Sequence, residues 1–186
     1  MIDLETELAC FYLRGNLMLV GDKIVLRAWS ASDLPALQSL RNNLLLQRQL
    51  MTQPRGNSLE QVREWLVSRS KNTDGLFFVV ASKTSDHAVG YIQIAGLDIL
   101  NGLGRLGMCV APESQGMGYG REAITLLEVY LHDVFKLRKL TLEVLADNIA
   151  ALRLYSKHCF SEVGRLKEHF YLNHKYEDVV IMEKML

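Results

Sequence analysis

The chain has 186 residues, 49% hydrophobic and 23% charged, which is the make-up of one ordinary globular domain able to bury its own core. Lys plus Arg and Asp plus Glu both number 21, so the formal net charge is zero. A balance of that kind supplies no general pull toward nucleic acid or an anionic membrane.

Residues 1–16 read as an extension ahead of a single domain over 17–186. The segments Leu17–Val20 and Lys23–Trp29 flank Gly21-Asp22, a short hairpin or a bulged first strand. Ser30 or Ser32 caps a helix with Pro35 in its first turn, and the leucine-rich stretch Ala36–Met51 that follows is broken at Asn42-Asn43. Pro54 and Gly56 end it, and Ser58-Leu-Glu-Gln61 is a capping box opening a helix to about Lys71. Leu76–Ala81 and Ala88–Ala95 read as paired strands turning at Ser85-Asp86, and Gly104–Val110 as another strand. Gly118–Phe135 carries apolar residues at helical spacing: Ala123, Ile124, Leu127, Tyr130, Leu131 and Val134. Lys139–Leu145 alternates as a strand does, and Ile149–Lys157 is a short helix capped by Asn148. Two last strands, about Phe160–Phe170 and Lys175–Leu186, meet at Asn173-His174. The order β-α-α-β-β-β-α-β-α-β-β predicts an α/β fold with a mixed sheet and helices on its faces.

Asp3, Glu5 and Glu7, with Arg14 and Asn16 interrupting the first apolar run, argue against a signal peptide. No window of about 18 uncharged apolar residues marks a membrane span, so a cytoplasmic location is expected. Cys10, Cys109 and Cys159 show no metal-ligand spacing and read as reduced thiols. The five histidines show none either, and no metal site is expected.

The segment joining the Gly104–Val110 strand to the next helix is Ala111-Pro-Glu-Ser-Gln-Gly-Met-Gly-Tyr-Gly-Arg121. Gly116, Gly118 and Gly120 remove side chains where a backbone must turn and approach a ligand. Their amides and the helix N-terminus make a site for phosphate or pyrophosphate. Read alone, three glycines are equally a flexible loop with no ligand. The segment lacks the Gly-Lys-Ser/Thr ending of a Walker loop, and its G-x-G-x-G spacing is not the dinucleotide fingerprint.

Gln115-Gly-Met-Gly-Tyr-Gly120 resembles the Q/R-x-x-G-x-G/A signature of the GNAT acetyltransferases, and stands as there between a strand ending Val110-Ala-Pro112 and a long helix. Asn148-Ile-Ala-Ala-Leu-Arg-Leu-Tyr155 is similar to that family's N-x-x-A-x-x-L-Y segment. The family then has Gly-Phe where this chain has Cys159-Phe160. Lys23–Trp29 with Asp33-Leu34 resembles the family's first strand and helix, and Lys175–Met182 the last strand of its ribosomal-protein and aminosugar branches. The resemblance covers about 17–186 and implies the GNAT fold, acetyl-CoA as co-substrate, transfer to a primary amine, and by analogy alone a homodimer.

It also implies a site. Two splayed parallel strands would expose backbone groups of Met108 and Val110 to pantetheine. Gln115, Gly116, Met117, Gly118, Tyr119 and Gly120 would hold the pyrophosphate. Asn148 would bond the pantetheine arm, Lys157 would reach the phosphates or remain solvated, and Tyr155 would protonate the leaving thiolate. For the general base, Glu143 is a candidate on the strand face opposite Leu142 and Val144, although a surface glutamate fits as well. Asp147, Tyr91 and His169 are no better supported, and water alone could serve. Cys109, between Met108 and Val110, reads as core rather than nucleophile. Leu44–Leu46 and Leu50-Met51 read as packing.

For the acceptor, the Arg41–Met51 stretch resembles enzymes acting on nucleotide-linked aminosugars, a layout shared with those acetylating ribosomal-protein N-termini. Arg41, Asn42 and Arg48 are candidate acceptor contacts, beside Asn43 and Gln47, and Arg41, Arg48 or Arg55 could hold a diphosphate. The neutral net charge argues against a polyamine, which favours an acidic pocket. A non-catalytic acetyl-CoA sensor, or a ligand-free structural domain, is the reading from other classes.

Overall fold

The computed structural model describes residues 18–172 and 174–186; the expected extension over 1–16 with Cys10, Leu17 of the expected first strand, and Asn173 of the expected last turn lie outside these. Strands β1 (Met18–Val20) and β2 (Ile24–Arg27) form the hairpin expected around Gly21-Asp22. There follow helices α1 (Leu34–Asn42), α2 (Leu44–Gln49) and α3 (Leu59–Lys71). Strands β3 (Leu76–Ser82), β4 (Ala88–Asp98) and β5 (Leu103–Val110) come next, then α4 (Tyr119–Phe135), β6 (Lys139–Leu145), α5 (Ile149–Lys157), β7 (Ser161–Leu172) and β8 (Lys175–Met185). The strands make one sheet in the order β1-β2-β3-β4-β5-β6-β8-β7. Every neighbouring pair is antiparallel except β5 with β6.

Strand alternation sends side chains to two separate cores. On β3, Phe78 and Val80 enter the core under α4 and α5, while Val79 and Ala81 enter the core under α1, α2 and α3. Helix α4 buries Ala123, Ile124, Leu127, Tyr130 and Leu131, the stripe its spacing predicts, while Val134 at the edge of that stripe is exposed. The leucine-rich stretch is two helices because Asn43 leaves helical geometry and its side chain accepts the Leu46 N–H at 3.1 Å, capping a new helix. The packing expected of Leu44 and Leu45 does not occur: α2 is so short that it turns only Leu46 and Gln47 inward, leaving those two 67% and 54% exposed.

Ser30 caps a 3-10 turn, Ala31–Asp33, that leads into α1. Asp33 is buried and receives a fork from Arg27, Nη1 to Oδ2 at 2.8 Å and Nη2 to Oδ1 at 3.0 Å, tying the first helix to β2. Cys159, where the resembling family has glycine, adopts φ +65 and ends α5 in the left-handed region. The turn is thus kept with a side chain that opposes it. Cys159→Gly should stabilise the fold by about 1 kcal/mol, seen as a higher urea midpoint at unchanged slope.

Candidate active site

Strands β5 and β6 pair only through Leu103↔Lys139, Gly104↔Leu140 and Arg105↔Thr141. Past Arg105 and Thr141 they diverge, although β5 stays paired to β4 as far as Val110. The Ala111 N–H bonds the Val89 carbonyl at 2.8 Å, so the backbone groups of Cys109 and Gly107 also point to β4 by alternation. Those of Met108 and Val110 then point into the gap. The Val110 carbonyl is taken by the Gln115 side-chain amide at 3.1 Å, which leaves its N–H. A cleft of about 920 Å³ fills the divergence.

The glycine segment borders this cleft. Gly116 and Gly118 have φ of +78 and +88, a region costly to any side chain, and a Cβ on Gly116 would meet nothing within 4 Å. Gly118 stands at the N-cap of α4 with no side-chain cap, so the first amides of a 17-residue helix face outward unclaimed by a cap. A Cβ on Gly120 would lie 3.2 Å from Met108 and 3.4 Å from Leu154, so this glycine lets α4 close on β5 and α5. Lys23, which no local motif marks as a site residue, joins the cradle from just ahead of β2. Its Nζ donates to the Met117 carbonyl at 3.1 Å and lies 3.5 Å from the Cβ position of Gly118. Its own N–H donates to Glu122 Oε1 at 2.9 Å, locking the β1–β2 hairpin onto the segment. The loop is therefore an open cradle of amides with one ammonium beside it, and it fits a pyrophosphate.

Opposite stands α5. Asn148 caps it, its Oδ1 accepting the Ala151 N–H at 3.2 Å, which leaves its amide N–H₂ for a ligand. Tyr155 is 7% exposed, lines the cleft and packs its ring on Phe160 at 5.8 Å. Burial, with the Cys109 thiol nearby, pushes its phenol up to about 12. Cys109 is buried and its thiol is likewise pushed up to about 12, so it is a core residue and no thiolate.

Gln115, Gly116, Gly118, Tyr119 and Gly120 border the cleft with Met108, Val110, Asn148, Tyr155 and Lys157, as does Glu143. Met117 does not; only its carbonyl takes part, through Lys23. Glu143 is 3.7 Å from Arg105. The three acceptor candidates are not in the lining. Arg48 is held by Asp147 and Glu177, Asn42 is bonded to Asn57 of the α2–α3 connection, and Arg41 lies over Trp65 at 4.4 Å. Of the other base candidates, Tyr91 is sealed against Trp65 and Phe77, Asp147 is spent on Arg48, and His169 is exposed away from the cleft. The lining contains Arg69 and Gln93, which sequence patterning does not single out because their positions follow from sheet pairing. Among the described residues no three His, Cys, Asp or Glu side chains gather, and no helix is long and apolar enough to cross a membrane.

Diverging parallel strands, a glycine cradle at a helix N-terminus and a tyrosine in the gap define a protein that handles a phosphorylated acyl carrier. The model of the acetyltransferase (GNAT) domain matches residues 23–161, and the chain belongs to that family. It is an acetyl-CoA-dependent N-acetyltransferase acting on an amine. It is 26% identical over 160 residues to a spermidine N(1)-acetyltransferase of Vibrio cholerae, covering 86% of this chain and 91% of that one. An alpha/beta-tubulin-N-acetyltransferase 9 of Drosophila melanogaster is 25% identical over 171 residues, 84% of each. The crystal structure of spermidine N-acetyltransferase from Vibrio cholerae in complex with CoA and spermine matches with a TM-score of 0.80 at 26% identity, covering 87% of this chain and 95% of that one.

Proposed function

We propose that acetyl-CoA lies along the free edge of β5, with its pyrophosphate in the glycine segment, and that the acetyl group passes to a primary amine in the cleft. The observation that carries this is the divergence of β5 and β6 beside the glycine cradle, with Tyr155 set in the gap. The cradle amides, Lys23, and the cleft cations Arg121, Arg153 and Lys157 hold the phosphates. The Met108 and Val110 N–H groups take the pantetheine arm and the negative charge that develops on the carbonyl oxygen. Asn148 donates its amide to the same arm.

Tyr155 supplies a proton to the departing sulfur. Burial raises the phenol, so its proton is in place across the neutral range when the sulfur leaves. Glu143, the one carboxylate of the lining, takes the proton of the attacking amine through water.

For the acceptor, the sequence points to an aminosugar nucleotide, and the relatives' names to spermidine or a protein. Thiol release from acetyl-CoA against aminosugar nucleotides, N-terminal peptides and spermidine separates these. Release with one class selects it. Silence together with no rise in Tm on adding acetyl-CoA overturns the assignment of the cleft. Gly118→Val should raise the KM for acetyl-CoA about tenfold or more, because a branched side chain opposes φ +88 and fills the cradle. An unchanged KM would move the pyrophosphate elsewhere.

A further inference from the structure

The acceptor half of the cleft has an unusual charge balance. Its carboxylate, Glu143, is already bridged to Arg105 at 3.7 Å. Asp147 and Glu177, outside the lining, are both held by Arg48. Arg69 reaches the lining from the last turn of α3, and among the described residues it has neither an ion pair nor a hydrogen bond. Behind it, the half-buried Arg41 guanidinium stacks on Trp65 and its Nε is buried with no hydrogen-bond partner. Burial first, and then repulsion from Arg69 and Arg55, hold the Arg41 pKa below its usual value. Two guanidinium groups thus sit close enough to repel, and among the described residues neither is paired with a carboxylate. Like charges left uncompensated in a half-buried place call for an anion. In the same lining as Arg69, Gln93 Oε1 is a buried acceptor with no hydrogen-bond partner, suited to an N–H from the acceptor's amine end.

We infer that the acceptor is an amine that also carries an anionic group, a phosphate or a carboxylate, held by Arg69 with Arg41 reinforcing the field. This rests on the reading of the cleft as the site of acetyl transfer. A polycation such as the spermine bound to the Vibrio cholerae enzyme would meet Arg69 and Arg105 here and find one carboxylate already engaged. An anionic amine meets a guanidinium without a competing partner, the arrangement in which a charge-assisted bond contributes most.

The test uses matched pairs that differ only in the anion: glucosamine 6-phosphate beside glucosamine, a nucleoside-diphosphate aminosugar beside the free aminosugar, and glutamate beside glutamine, with spermidine as the cation. Thiol release is measured for each, and acetyl-CoA binding is measured separately by thermal shift. The expected result is a kcat/KM roughly tenfold or more higher for the anionic member of at least one pair. The winning pair tells phosphate from carboxylate. Arg69→Ala should then lower the anionic member to the level of its neutral partner, and Arg69→Lys should restore part of the difference, while the KM for acetyl-CoA holds. Preference for spermidine or a neutral amine, silence from every anionic amine while acetyl-CoA still binds, or a preference that survives Arg69→Ala overturns the inference. Loss of acetyl-CoA binding itself would instead count against the assignment of the cleft.

Discussion

Tyr155→Phe should lower kcat by about 100-fold or more while leaving the KM for acetyl-CoA nearly unchanged. The hydroxyl is the only thing removed. The ring that packs on Phe160 at 5.8 Å stays, and the described residues give the hydroxyl no hydrogen bond whose loss would strand a partner. The fold should therefore hold, and the loss should fall on the chemical step. The pH profile carries a second readout. Burial holds the Tyr155 phenol near 12, so it is protonated and competent across the whole neutral range. An acid must keep its proton to act, so its titration removes activity only as the pH climbs toward that value. An alkaline fall in rate centred well below pH 10 in the natural enzyme must belong to another group, such as the acceptor amine, and it should survive in Tyr155→Phe. A kcat equal to that of the natural enzyme would take Tyr155 out of the mechanism.

Much of this site is local in the chain, and that part is readable in advance. Gln115–Gly120 and Asn148–Tyr155 are continuous runs, and the strand ahead of each and the helix it opens or caps are set by neighbours in sequence. The glycine cradle, the α5 cap and the exposed side of Glu143 follow from such runs. What is not readable arises where distant segments meet. Lys23 reaches the carbonyl of Met117, 94 positions on, because the hairpin of β1 and β2 docks against α4. Arg48 looks free to bind a substrate until Asp147 and Glu177 arrive, 99 and 129 positions later, and consume it. Arg69 and Gln93 come to the cleft only through the pairing of β3, β4 and β5 and the packing of α3 on them. The zero net charge hides the local balance for the same reason. A sum over the whole chain says nothing of how charges divide between one wall and another, and here the cleft lining holds several cations and one acid.

Asp33→Asn should cost about 3 kcal/mol of stability at neutral pH, and that cost should fade in acid. Asp33 is 3% exposed and receives two N–H groups of Arg27 as well as the Ser30 N–H at 2.8 Å. Burial alone would raise the carboxyl's pKa. The Arg27 hydrogen bonds, the Ser30 N–H and the Arg27 charge outweigh it and hold the group below its ordinary 3.8. A carboxylate whose folded pKa is depressed adds stability that is present above the unfolded value and is lost as the pH falls through the folded one. The asparagine variant has no such group, so the gap in urea stability between the two proteins should be full near pH 7 and shrink below about pH 4. Arg27 keeps the exposed Asp86 at 2.7 Å in the variant, which places the cost at the low end of that for a broken buried pair. The same fork anchors the turn into α1, and α1 and α3 pack together over the sheet on the side where Arg69 stands. A gap that stayed constant from pH 7 down to about pH 3 would assign the loss to shape rather than charge.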